Sequence, residues 1–292
     1  MSYSGCLRWV LFCALATGLP AHAQDGAALQ ARHAVLRQTL ADNPFHRPLH
    51  LESSESAVAL RGDVYAQVEQ PFTAVAHALQ GMDHWCDILI LHLNVKHCRG
   101  SRPKSGDTLS LAVGRKSDQP LAAAYRFKFA YQVVAAQPDY LRVTLNSDAG
   151  PFGTSDYRIA LELVPLGARS SFVHLSYSYT YGTAAQLAMH SYLATLGRDK
   201  VGFSVVGSKA DGQPVYVGST RGVIERNTMR YYLAIEAYLG ALSVPAAQQL
   251  DKRLNDWHTS VERYPLQLHE LERSEYLDMK HKEVRRQQAL GD

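Results

Sequence analysis

The sequence predicts an α+β protein built on an antiparallel meander, and three observations carry that expectation. Four runs of alternating apolar and polar residues follow one another between Leu121 and Tyr181. Turn-forming stretches separate them: Gln137-Pro138-Asp139, Ser147 to Gly153, and Pro165-Leu166-Gly167. A long helix with an apolar stripe is expected later, over 221–242. Short connections make consecutive strands antiparallel neighbours, and a period of two gives each strand one face to bury.

Tyr125, Phe127, Phe129, Tyr131 and Val133 share one face of the first run, against Arg126, Lys128 and Gln132. Leu141, Val143 and Leu145 repeat the pattern, with Arg142 and Thr144 opposite. Tyr157, Ile159, Leu161 and Leu163 follow, backed by Arg158 and Glu162. Val173, Leu175, Tyr177, Tyr179 and Tyr181 alternate with His174, Ser176, Ser178 and Thr180. The sheet therefore has one wet face and one aromatic-rich face. The second must be covered, by the chain's own helices or by a bound apolar molecule around which the sheet curves. The residues alone leave both open.

The chain opens on what reads as a secretory signal over residues 1–23. Arg8 supplies the positive region, Trp9 to Leu19 an apolar stretch too short to span a bilayer, and Ala21-His22-Ala23 a small-x-small cleavage site. Gln24 is then the mature N-terminus. Neither Cys6 nor Cys13 is at the junction, which argues against lipoprotein processing. The mature protein is expected to be exported and soluble, periplasmic in a Gram-negative host. A net charge of +3, with no Arg/Lys stripe interleaved with aromatics, gives no sign of a nucleic-acid partner.

Cys86 and Cys98 remain after the signal, twelve residues apart. In an oxidising compartment they are disulfide candidates, and closing so short a loop contributes about 3 kcal/mol in the chain-entropy model. Free buried thiols and a metal site with His84, Asp87, His92 and His97 are the alternatives, although the spacing fits no zinc pattern. No metal and no cofactor is expected.

Residues 27–41 form a short helix carrying Leu29, Leu36 and Leu40, ended by Asn43-Pro44, and 44–56 is an extended polar arm. A strand is expected over 58–68, with Gly62 marking a bulge. Pro71 starts a short helix with Val75, Ala76 and Leu79 on its stripe, closed by Gly81. Asp83 is the N-cap candidate of a second, carrying Trp85, Ile88 and Leu89.

A strand, then Pro71-Phe72-x-x-Val75-x-x-x-Leu79, then Trp85 near a second helix, then a long meander resembles the START-like or SRPBCC helix-grip superfamily. The resemblance covers roughly 58–181 and resumes near 221–243; the order of elements carries it more than the local motif. It implies a curved antiparallel sheet gripping a long C-terminal helix around a cavity. It further implies binding of lipids, sterols, polyketides or other hydrophobic molecules, with a minority of members acting as cyclases or hydrolases. Those families share no universal catalytic residues, so none is assigned here.

The organisation expected is a signal over 1–23, an N-terminal helix and arm over 24–56, the helix-grip domain over 57–245 and a charged helical tail over 246–292. An insertion departs from the simple pattern: a helix from Gly182-Thr183 to Leu196, with Leu187, Ala188 and Leu193 apolar, then a hairpin over 201–206 and 214–218 around Asp211-Gly212. In the long helix Ile235, Leu239 and Leu242 join Tyr231 and Tyr232 on one face. Just before that stripe come Arg221, Glu225, Arg226, Asn227 and Arg230, either a solvated helix edge or the polar end of the cavity. In the second case Arg226 or Arg230 holds a ligand carboxylate or phosphate. Leu250, Leu254, Trp257 and Val261 stripe a further helix; beyond Pro265, Lys280-His281-Lys282 and Arg285-Arg286 read as a solvated tail able to meet an anionic membrane surface.

The functional expectation is an exported protein binding a hydrophobic, lipid-like ligand. Its wall is Tyr125, Phe127, Phe129, Tyr131, Tyr157, Tyr177, Tyr179 and Tyr231, and its polar end Arg226 and Arg230. An enzyme of the same fold and a structural envelope protein are the competing classes. Against an enzyme, the chain has no G-x-S-x-G elbow, H-E-x-x-H, P-loop or glycine-rich dinucleotide fingerprint.

Overall fold

A computed structural model describes residues 21–183, Gln186 and 199–290. Its strands are β1 (Leu49–Glu55), β2 (Ala59–Val68), β3 (Val95–Ser101), β4 (Thr108–Val113), β5 (Tyr125–Gln137), β6 (Tyr140–Ala149), β7 (Thr154–Pro165) and β8 (Ser171–Tyr181), followed by a separate pair, β9 (Val205–Ser208) and β10 (Pro214–Tyr216). Its helices are α1 (Ala21–Ala41), α2 (Phe72–Leu79), α3 (Met82–Leu89), α4 (Ser219–Ala241), α5 (Ala246–Val261), α6 (Pro265–Leu268) and α7 (Arg273–Ala289). Most of the expected signal and of the helix over 183–196 lies outside the described residues.

The first eight strands make one antiparallel sheet in the order β1-β2-β8-β7-β6-β5-β4-β3. From β2 the chain crosses through α2 and α3 to the far edge, then returns strand by strand until β8 pairs with β2. The long helix α4 packs against β1, β2 and β8. This is the helix-grip α+β architecture that the order of elements implies.

All four alternating runs are strands, and pairing aligns their apolar faces. Val64, Leu175, Leu161 and Val143 stand opposite one another across β2, β8, β7 and β6, all of them fully buried. Val133 continues the row but is exposed, because β5 bulges between Val133 and Ala135. Gly62 is no bulge: β2 pairs in continuous register on both sides. A Cβ there would lie 2.3 Å from Thr228 Oγ1, so glycine is what lets α4 approach the sheet.

Several local expectations are corrected. The polar arm over 44–56 contains the edge strand β1, whose Leu49 and Leu51 enter the core. Its other side chains are polar, which hid the period. Strands β3 and β4 were not anticipated; Lys96, His97 and Arg99 interrupt any apolar alternation in β3. Gly81, not Asp83, precedes the first turn of α3, and Asp83 pairs instead with Arg102 at 2.7 Å. Ala78, Leu79 and Gln80, at the end of α2, present carbonyls that meet the His84 ring, the Trp85 indole and the Tyr131 hydroxyl. Leu242 lies past the end of α4 and is exposed. The expected hairpin is present as the shorter β9–β10 pair, with Gly212 at φ 83° in its turn.

The outer face of the sheet is not uniformly wet. Leu29, Leu36 and Leu40 of α1 bury against Tyr65, Tyr140, Val164 and Phe172, forming a second, smaller core on that face. Beside it His174 is clamped between carboxylates, Nε2 at 2.8 Å from Asp63 and Nδ1 at 2.9 Å from Glu162, while its ring stacks on Tyr65. Arg61 joins Asp63 at 2.7 Å, and the Tyr140 hydroxyl donates to Glu162. Burial alone would lower the His174 pKa, but the two carboxylates outweigh it and hold it above the usual histidine value. For Asp63 and Glu162 burial pushes upward and His174 leads the groups that bring both below the carboxylate range.

The C-terminal segment is no solvated tail. Leu254, Trp257, Leu268, Tyr276, Met279 and Val284 belong to the same core cluster as the sheet. Lys280 is fully buried and its ammonium meets the His92 and Val95 carbonyls and Glu283. Glu283 also pairs with the buried Lys96 of β3 at 3.0 Å. Of the basic residues that suggest solvation, Lys280 and Arg286 hold the helix down, while Lys282 and Arg285 are exposed.

The disulfide forms. Cys86 of α3 and Cys98 of β3 are bonded with Cα atoms 5.2 Å apart. Thiol counting of the denatured, unreduced protein should therefore find no free thiol at these positions, and reduction should cost about 3 kcal/mol in urea unfolding. Two free thiols would contradict the bond. The outer-face clamp gives a second expectation. The His174 contribution is complete below about pH 6.5, its unfolded value, and is lost as pH rises through the higher folded value. The carboxylate contributions run the other way, complete above about pH 4.5 and lost as pH falls. His174→Gln should cost about 2 kcal/mol at pH 6, and the gap to wild type should narrow toward pH 9. A gap that is constant with pH would show that the imidazolium is not what stabilises this face.

Candidate functional site

The inner sheet face and α4 bring most of the expected wall together. On β5, Tyr125, Phe127 and Phe129 point the same way because they are two residues apart, and their rings run in contact, 6.3 Å from Tyr125 to Phe127 and 5.1 Å from Phe127 to Phe129. Tyr157 of β7 reaches Phe127 at 5.9 Å and Tyr179 at 5.1 Å. Its neighbour Asp156 has φ 52°, inside the irregular stretch where β7 shifts register against β8. Tyr177 touches Tyr157, Tyr179 and, at 5.2 Å, Tyr231 of α4. Seven of the expected residues thus form one chain of rings from β5 to α4. Tyr131 stands apart from it, its hydroxyl committed to the Gln80 carbonyl at 2.7 Å.

Exposure falls from Tyr125 into the sheet, and Tyr231 at the far end is partly buried. Tyr125 is 42% exposed and Phe127 partly buried, whereas Phe129, Tyr157, Tyr177 and Tyr179 are buried. Burial raises the hydroxyl pKa of Tyr157, Tyr177, Tyr179 and Tyr231, so all four are neutral at physiological pH. The Tyr157 hydroxyl meets Thr154 at 2.9 Å.

Beyond Tyr231 the surroundings become cationic. Arg230, one residue earlier on α4, donates to the Leu268 carbonyl and pairs with Glu270 at 2.8 Å. Lys116 pairs with the same carboxylate, and Lys200 approaches it at 3.7 Å. Burial pushes the Glu270 pKa up, but Arg230 and Lys116 more than reverse it and hold it below the carboxylate range. Burial, reinforced by Arg230, brings Lys116 down to about 8 against the pull of Glu270. Arg226 donates to the Val201 carbonyl at 3.1 Å. Glu225 is fully buried, and accepts from Ser53 and Ser204 hydroxyls and from the Phe203 and Ser204 amides. Within the constellation Glu225, Arg226 and Arg230 are therefore interior, while Arg221 and Asn227 are partly exposed. The constellation binds β1, residues 201–204 and the C-terminal segment to α4.

Sequence reasoning missed Lys116, Lys200 and Glu270, which come from three separate connections and carry no shared spacing. It noted His92 only as a metal-ligand alternative. His92 stacks on Tyr231 at 4.7 Å and is 2% exposed, at the junction between the rings and the cations. Among the described residues no group of three His, Cys, Asp or Glu side chains is placed to hold a metal ion.

No known family model matches the chain, and no curated protein does. Among solved structures, it is similar to a norcoclaurine synthase point mutant from Thalictrum flavum in complex with a transition state analogue. That likeness has 15% identity and a TM-score of 0.34, over 49% of this chain and 91% of that one. A START superfamily protein from Mycobacterium smegmatis matches at 14% identity and a TM-score of 0.31, over 49% and 93%. The lipid transfer and protein localization domain of human StarD13 matches at 9% and 0.35, over 60% and 91%.

The shared carboxylate gives a test of the cationic end. Glu270→Gln leaves Arg230, Lys116 and Lys200 facing a neutral amide, and should destabilise the protein by about 3 kcal/mol in urea unfolding. A loss under about 0.5 kcal/mol would place these cations in effectively solvated surroundings.

Proposed function

We propose that this chain is an exported protein that binds a hydrophobic, lipid-like molecule between the inner sheet face and α4. The observation that carries the reading is the unbroken run of rings from the exposed Tyr125 to Tyr231, ending beside cations. An apolar wall with a few polar groups at one end suits an amphipathic guest.

Export is supported by the expected signal over 1–23 and by the Cys86–Cys98 disulfide, which favours an oxidising compartment. No helix among the described residues is long and apolar enough to cross a membrane. Contact with an anionic membrane surface would fall to Lys282 and Arg285, since Lys280 is buried and Arg286 donates to the Lys96 carbonyl. At about 1 kcal/mol per exposed cation, such contact is weak and transient.

Native mass spectrometry of protein purified from its own compartment, paired with titration of a fluorescent fatty acid, tests the reading. A bound lipid-sized molecule and saturable uptake are expected. Tyr179→Ala should weaken uptake about tenfold, the worth of one aromatic contact plus its buried area, without unfolding the protein. A folded wild type that takes up no fatty acid, sterol or apolar dye would overturn it.

A further inference from the structure

His92 has one ring nitrogen accounted for and one left over. Nδ1 accepts the Asn94 backbone amide at 3.2 Å. A neutral imidazole that accepts at Nδ1 carries its proton at Nε2. That Nε2 atom is buried and meets no hydrogen-bond partner. Burial, with Arg230, Lys280, Lys116 and Lys96 nearby, pushes the His92 pKa well below the histidine value, so the ring is neutral and the tautomer is fixed. An orphaned donor of this kind is costly, and native proteins rarely leave one without a use.

The surroundings say what its partner would be. The ring lies against Tyr231, which in turn touches Tyr177, so the imidazole sits at the α4 end of the ring chain. Lys96 and Lys280 are held by Glu283, and Lys280 also donates to the His92 carbonyl, so the loop bearing the ring is rigid. An acceptor oxygen entering here meets a neutral N–H donor in a positive field, which favours an anionic oxygen over a neutral one. We infer that His92 Nε2 donates to the carboxylate of an amphiphilic acid whose apolar chain lies on Tyr177 and Tyr231. This rests on the binding function proposed above and adds to it the head-group class and the residue that reads it.

Three variants separate the ring's two roles. His92→Asn keeps an acceptor near the Nδ1 position but has no group at Nε2; His92→Gln places a donor near Nε2; His92→Phe keeps the stack on Tyr231 and neither nitrogen. Binding of oleate and of a neutral sterol to the full chain would be measured by calorimetry, with folding checked by thermal unfolding. His92→Asn and His92→Phe should each weaken oleate about tenfold, as expected for one charge-assisted hydrogen bond, His92→Gln should recover much of that, and sterol binding should stay within about twofold. In the wild type, the imidazole Nε2–H proton resonance should move downfield on adding oleate and not on adding sterol. Equal weakening for both molecules, no weakening for either, or an unmoved Nε2–H resonance would overturn the role of His92 while leaving the apolar site intact. A wild type that binds neither molecule would overturn both.

Discussion

The constraint on which the rest depends is that α4 is buried over most of its surface while carrying charge. A helix in that position is ordinarily apolar all round. Here Glu225, Arg226 and Arg230 are each at most 2% exposed, on the helix whose other face meets β1, β2 and β8. Each buried charge must find its partner in whatever covers it, because leaving one uncompensated costs several kcal/mol. The covering elements are accordingly fixed by those charges: β1 through Ser53, residues 201–204 through amides and Ser204, the C-terminal segment through Leu268 and Glu270. The insertion and the tail are thus counterparts of α4 rather than additions to a finished domain. Gly62 and Gly202 serve the same end, since a Cβ at either would collide with Thr228 or Glu225.

How much of this was legible in the sequence follows from which signals are local. A period of two survives in any strand with one apolar face, so β5 to β8 could be read directly, together with their ring-bearing side. The strands β1 and β3 were hidden because charged and polar residues occupy even their partly buried positions. Lys96 in β3 is fully buried, which no pattern of hydropathy predicts. The outer face read as wet because Glu162 and His174 lie on it; what the alternation cannot show is that α1 descends beside them and that they neutralise one another.

The candidate site divides along the same line. Its rings were legible because β5, β7 and β8 each present aromatics at every second position. Its cationic end was only half legible. Arg226 and Arg230 are spaced along one helix and could be picked out, but Glu270, Lys116 and Lys200 converge from loops distant in sequence. The disulfide was readable for a different reason, since removal of the expected signal leaves Cys86 and Cys98 as the sole pair. The basic tail misled because charge density is a surface signal on average and says nothing of a single helix with a buried edge.

Buried polarity in this protein has two distinguishable uses. In the clamp at His174, the lock at Lys96, Lys280 and Glu283, and the contacts of Glu225, each group has several partners of opposite kind, and the arrangement fastens one element to another. Satisfied networks of that sort fix geometry. His92 departs from the pattern: its carbonyl and Nδ1 take part in fastening, through Lys280 and Asn94, while Nε2–H has no counterpart. The same side chain is therefore held rigidly on one edge and left unanswered on the other, next to the aromatic run. Rigid placement of an unanswered donor is what a binding site requires and what a folding core avoids, because the core gains nothing from it and bears the desolvation cost. That asymmetry within one imidazole separates the junction at Tyr231 from the clamp at His174, where both ring nitrogens meet carboxylates.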